Sequence, residues 1–353
     1  MLMYAHIVFL FLLTAIFAFY EDRISERQKF SILIIYCIYF ILLASFKELA
    51  TTADAENYER IFYNNDHPQI ELTVEASYRY LSQFILSIGG GVRVIFFIYA
   101  FFTIILKVIA MNKLTPYIFT SMLIYIPFYL TLHDLVQIRA AAATAFLMMT
   151  VVVLATNGNK VKALLLILCA TFFHTSSLVY LPILLIGNRK FGTKLRLVIV
   201  CTIPLLMVAF FLEKDLASLL PEYAFLGKAL SYKENTAKGL EVSSFSIIYL
   251  GYVWLKYCLL ILLMYYYDVI VSNDSRAPII ITLFTLSIVI VMSVSSFPVI
   301  ATRLSELFGI IDGIAFTYLM YAIRPRYMSR AVTMLVGVYL IFYLLVDGKY
   351  FSI

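Results

Sequence analysis

Several ionisable residues of this chain stand beside apolar runs, where a charge needs a reason. Arg139 lies in "LHDLVQIRAAAATAFLMM", residues 132–149, at the threshold of an apolar run that continues to Thr156. An arginine deep in a bilayer costs roughly 2.5 to 3.5 kcal/mol on insertion scales, so it must snorkel, pair or face a polar cavity. Asp134 and Gln137 are its nearest pairing candidates in sequence. His174 is the only histidine predicted to lie deep in the membrane, beside Thr175, Ser176 and Ser177. A neutral imidazole accepts a proton near physiological pH, the property of a general base. It serves equally well as a hydrogen-bonded packing residue that holds a turn. Asp54 completes what reads as a Thr51-x-x-Asp54 capping box. Glu75 precedes Arg79 by one turn, in the orientation of an exposed salt bridge, and Arg303 has Glu306 one turn on. His6, His67 and His133 fall in no partner pattern.

The elements that carry these residues follow from composition. With 63% hydrophobic and 14% charged residues over 353 positions, the chain has too little polar surface for a soluble globule. It reads as an all-α, polytopic membrane helix bundle in a single domain, residues 1–353. The alternation of an outer-membrane barrel is missing. Candidate spans run near 3–20, 30–46, 92–111, 116–132, 138–156, 197–212, 245–268, 278–297, 304–323 and 331–347, about ten in all. The first ends in Glu21-Asp22-Arg23 without a small-residue cleavage site and reads as a retained helix. A net charge of +6 is weak evidence for nucleic acid in such a chain, and no nucleic-acid partner is expected.

Basic surpluses at Arg23/Arg27/Lys29, Lys107/Lys113, Lys160/Lys162, Arg189/Lys190/Lys194/Arg196, Arg276 and Arg324/Arg326/Arg330 mark segments expected in the cytoplasm. Residues 161–187 lie between two of them. Either this stretch is one long span, or it is a re-entrant hairpin turning at residues 173–177, which keeps both basic loops inside. The hairpin puts 47–91 and 213–244 outside. In 47–91, a short amphipathic helix with Tyr58, Ile61 and Phe62 on its apolar face is expected, then a second over about 74–87 that stops at Gly89-Gly90-Gly91. No Gly-Lys-Ser/Thr follows those glycines, so they are not a phosphate loop.

Cys37, Cys169, Cys201 and Cys258 sit in apolar windows, with no C-x-x-C and no histidine pair at ligand spacing, so neither a metal site nor a disulfide framework is indicated. No Asp-x-Asp pair is present to hold a metal-nucleotide diphosphate. Cofactors are not expected, and a membrane-borne donor is favoured over a nucleotide sugar.

Five stretches, in order, resemble the EpsG branch of the Wzy-type polysaccharide polymerases: "FKELATTADAENYERIF", "VEASYRYLSQFILSIGG", "VQIRAAAATAFLM", "ATFFHTSSLVYLPILL" and "ATRLSELFGI". Lys47 stands where the family usually has arginine, Thr52 where it has glycine and Ala140 where it has glutamine. The resemblance implies a glycosyltransferase of the bacterial inner membrane that joins undecaprenyl-diphosphate-linked oligosaccharide repeat units on the outer face, with no metal. It implies Arg139 and Arg303 as a diphosphate clamp, because a guanidinium binds phosphate oxygens bidentately and stays charged. His174 or Asp54 would be the base. Lys47, Tyr58, Glu75 and Arg79 are candidate substrate-binding residues, Tyr58 by stacking on a sugar. The expected partners are the lipid-linked oligosaccharide, the bilayer and a chain-length regulator. An O-antigen ligase or other membrane-embedded transferase, and a lipid-linked oligosaccharide flippase, are the alternative readings. A flippase is expected to show an internal repeat, and none is visible.

Overall fold

The computed structural model describes residues 2–48, 52–65, 74–211, 245–294 and 297–346, all helical or irregular with no strand among them. The expected 213–244 loop, Thr51 and His67 lie outside the described residues. The chain divides into two compact units, Met1–Gly187 with Arg324–Ile353, and Asn188–Ile323.

In the first unit, α1 (Leu2–Tyr20) and α2 (Glu26–Phe46) are joined by a 3-10 turn at Glu21–Arg23. A capping box starts α2: Gln28 N donates to Ser25 Oγ at 3.3 Å, and Ser25 N donates to Gln28 Oε1 at 2.9 Å. Next come α3 (Ala53–Tyr63), α4 (Ala76–Ser87), α5 (Val92–Leu114) and α6 (Ile118–Ile124), which widens into a π-helix over Tyr125–Asp134. α7 (Ile138–Thr156) buries Ala140, Ala141, Ala142, Ala143 and Ala145. Small side chains let helices approach closely, and α7 packs against both α5 and α8 (Lys160–Phe173). The helix Arg326–Val346 closes the unit. A Cβ on its Gly337 would meet Leu123 O and Phe11 Cε2, each at 2.5 Å, so only hydrogen fits there.

The outer segment forms both expected helices, with one change of cap. Thr52 caps α3, its Oγ1 accepting from Ala55 N at 3.0 Å, so the Thr51–Asp54 box is not what starts the helix. α4 begins at Ala76 with Glu75 as N-cap, and Gly89, at φ +76°, ends the turn after it. Tyr58, Ile61 and Phe62 of α3 and Tyr78 and Ile85 of α4 share one buried cluster with Ile95, Phe96 and Tyr99 of α5 and Ile138 and Ala142 of α7. The amphipathic faces are thus consumed in seating the two helices on α5 and α7.

Through 161–187 the chain breaks where the turn is expected. α8 stops at Phe173, His174 is extended (φ −153°, ψ 111°), and a 3-10 turn over Thr175–Tyr180 leads to α9 (Ile183–Ile186). The turn and α9 pack back against α8, so no single continuous helix forms.

The second unit contains α10 (Thr193–Phe211), α11 (Ile247–Tyr265), α12 (Tyr267–Asn273), α13 (Ala277–Ser293), α14 (Pro298–Gly309), α15 (Asp312–Thr317) and α16 (Leu319–Ala322). α13 is its centre, packed on α10, α11 and α14.

Among the described residues, seven helices are long and apolar enough to cross a membrane, against the expected ten or so. The shortfall has a local cause in each case. The 116–132 window is α6 with its π-helical continuation, whose residues from Ile118 to Asp134 are all buried. The 278–297 window is the 17-residue α13. The 304–323 window is broken into α14, α15 and α16. Segments enclosed by protein need not match the hydrocarbon thickness.

Candidate functional site

Glu75 joins the two groups that the sequence singles out. As N-cap of α4 its carboxylate makes no capping hydrogen bond. One oxygen instead takes Arg139 Nη1, from the first turn of α7, and the other lies 3.0 Å from Nδ1 of His174, at the end of α8. Arg139 gains nothing from its own helix, because a cation in the first turn opposes the helix dipole. The expected pairings of Arg139 with Asp134 and of Glu75 as an exposed surface partner both give way here: the Glu75 side chain is only 10% exposed.

The charge on Glu75 sets the direction of its bond to His174. Burial pushes the Glu75 carboxyl up, but the hydrogen bond to His174 and the charge of Arg139 outweigh it and hold the group down at about 2. Glu75 is therefore a carboxylate, which can only accept, so His174 Nδ1 donates to it, and in the neutral imidazole Nε2 is the nitrogen left as acceptor. The residue before His174 is anchored as well. Phe173 stacks on Phe146 (5.5 Å, 19°) and meets Tyr99 edge-on (5.7 Å, 88°), fixing the end of α8.

Around Arg139 the walls are aromatic. Its guanidinium carbon lies 5.3 Å from the Tyr58 ring centre, and Nε is buried with no hydrogen-bond partner among the described residues. Tyr58 is 5% exposed, tilted against Tyr78 and edge-on to Phe96, so its ring is covered by protein and serves as a wall for the Arg139 guanidinium. Lys47 is buried just past α2, donating to Leu135 O with Nζ 5.0 Å from the Phe96 ring centre. Burial lowers its ammonium to about 7, while the charge of Asp54 pulls it back up. Asp54 thus belongs to the same electrostatic neighbourhood, acting on both Lys47 and Tyr58.

Arg79 turns to Tyr80, its guanidinium carbon 5.1 Å from that ring centre. Arg303 is an exposed residue of α14 in the second unit, three residues before buried Glu306. Among the described residues, no group of three His, Cys, Asp or Glu side chains is placed to hold a metal ion.

A family model matches residues 31–352, nearly the whole chain. The chain belongs to the EpsG family. EpsG is a Wzy-like polymerase family, and membership of it suggests a polysaccharide polymerase-like function for this multi-pass membrane protein. No curated protein and no solved structure matches it. The EpsG match takes in Lys47, Asp54, Tyr58, Glu75, Arg139 and His174, all in the first unit, as well as Arg303 in the second.

The supports of this constellation include residues that sequence reasoning missed. Lys107, expected in a basic loop, is fully buried inside α5 and donates to both oxygens of Asp134 at 2.9 and 3.0 Å. Tyr125 donates to Asp134 at 2.6 Å. Asp134 and Leu135 are therefore tied down by Lys107, Tyr125 and Lys47, a few residues before Arg139. The signal was available: Lys107 and Asp134 are both ionisable residues in apolar windows, which by default pair with one another.

Proposed function

We propose that this protein joins undecaprenyl-diphosphate-linked repeat units into polysaccharide on the outer face of a bacterial inner membrane. One observation carries the reading: Glu75 bridges His174 and Arg139, coupling a proton acceptor to a phosphate-binding cation. Nε2 of His174 takes the proton of an acceptor hydroxyl as its oxygen bonds to the anomeric carbon of the donor sugar. The bond from that carbon to the diphosphate breaks, and its electron pair leaves with the diphosphate. Positive charge fixed in advance lowers the cost of that departure. Arg139 Nε is a buried donor that a phosphate oxygen would satisfy. Lys47 adds a second cation nearby. This assigns charge stabilisation to the chain's own side chains with no metal. Asp54 then acts on Lys47 rather than as the base. The loop charges support the outer face for 47–91 and a re-entrant hairpin for 161–187.

The test is the glycan phenotype. Deletion of the gene leaves surface glycan of one repeat unit, whereas loss of all capped glycan would point to a ligase and loss of export to a flippase. His174→Ala at normal membrane abundance gives the same one-unit glycan. Normal polymer from that variant would remove His174 as the base.

A further inference from the structure

At the opposite end of α1 and α2 lies a groove of about 590 Å³ that the polymerase reading does not use. Ile16, Phe17, Ile24 and Ile32 form its apolar wall, and Arg23 and Arg27 stand at its polar end. Sites for small ligands occupy roughly 300 to 1,000 Å³, so the space is adequate. Its charge decides what fits.

Every carboxylate at this end of the first unit is already engaged. Glu21 accepts from Phe119 N, Thr120 N and Thr120 Oγ1. Asp22 pairs with Arg330 at 2.7 Å and Arg326 at 3.5 Å, and Glu26 pairs with Lys29 at 2.8 Å. Arg23 and Arg27 are left over. The first lies 5.8 Å from the Tyr20 ring centre, and the guanidinium of the second has no partner among the described residues. Both are exposed. Two uncompensated guanidinium groups beside an apolar groove between membrane helices match an amphiphile with an anionic head and a hydrocarbon tail.

We propose that this groove binds one anionic diacyl phospholipid, its phosphate on Arg23 and Arg27 and an acyl chain along Ile16, Phe17 and Ile32. The site is independent of the His174 constellation. A basic loop favours the cytoplasmic leaflet, where anionic headgroups raise the local supply.

Native mass spectrometry of the purified full chain, titrated with dioleoylphosphatidylglycerol or dioleoylphosphatidylethanolamine, tests this. Wild type binds the anionic lipid preferentially. Arg23→Gln with Arg27→Gln weakens that binding about 10- to 30-fold and leaves the zwitterionic lipid unaffected. Ser31→Trp fills the groove while keeping both charges, and it weakens binding comparably. Inorganic phosphate at the same concentration does not compete. Undiminished phosphatidylglycerol binding in the double variant or in Ser31→Trp overturns the proposal. So does displacement by inorganic phosphate, which would mark a free-anion site, or occupation of the groove by a second copy of the chain.

Discussion

Glu75→Gln keeps the shape of the bridging side chain and removes its charge, and two separate losses follow. A carboxyl held at about 2 instead of 4.5 is stabilised as its anion by about 3 kcal/mol in the folded chain. Because the folded value is depressed, that stabilisation is complete above about pH 4.5 and disappears as the pH falls toward 2. At neutral pH the variant forfeits all of it. Arg139 is then left partly buried without its counter-charge, a situation that costs about 3 to 5 kcal/mol when a buried pair is broken. The two figures describe the same interaction, so about 3 kcal/mol is the expected destabilisation. The second loss is chemical. A glutamine amide can donate to Nδ1, which places the histidine proton on Nε2 and removes the acceptor. General-base contributions are worth about 10² to 10⁴ in rate. The assay is polymer formation from purified lipid-linked repeat units, normalised to folded protein, with the thermal unfolding midpoint measured in detergent. A lowered midpoint and a rate reduced at least a hundredfold per folded molecule, about the lower bound for lost base catalysis, are expected. Wild-type turnover in a variant with a wild-type midpoint would refute both the bridge and the tautomer.

Three further outcomes are expected. Arg139→Lys keeps the charge but loses the planar fork, so polymer length collapses even with this conservative change, and more completely with Lys47→Ala added; normal polymer in the double variant would make Arg139 an anchor only. Gly337→Ala drives a methyl into Leu123 O and Phe11, costing about 1 to 3 kcal/mol, read as reduced membrane abundance and a lower thermal midpoint. Single cysteines introduced at the exposed positions 56, 60, 63 and 64 react with an external impermeant thiol reagent while those at 158 and 192 do not; labelling at 192 would sink the re-entrant hairpin.

Hydrophobic windows made most helices legible, because length and composition alone mark a segment that can cross lipid. They failed where protein replaces lipid. The segment from Ile118 to Asp134 is apolar because it is buried in the unit, and nothing in its composition announces the change to π-helical pitch at Tyr125. His174, Arg139, Lys47 and Asp54 were legible as unusual residues in unusual places. Their arrangement was not, since Glu75 meets Arg139 from 64 residues away and His174 from 99. Local spacing offers Glu75 a closer partner in Arg79, and the sequence reading took it. Tyr58 shows the converse: an aromatic residue in a polar segment suggests a sugar platform, and only the fold shows its ring packed beside Arg139.

The buried pair of Lys107 and Asp134 bears on how the chain is made. α5 leaves the ribosome with an uncompensated ammonium, and its carboxylate follows 27 residues later. A lone lysine near the middle of an inserting helix costs roughly 2.5 to 3.5 kcal/mol, so α5 is held back as a solitary entrant. Neutralisation becomes available when the chain through Asp134 emerges. The pairing thus favours insertion of α5 together with the segment ending at Asp134, as one hairpin in which the Lys107 charge is compensated.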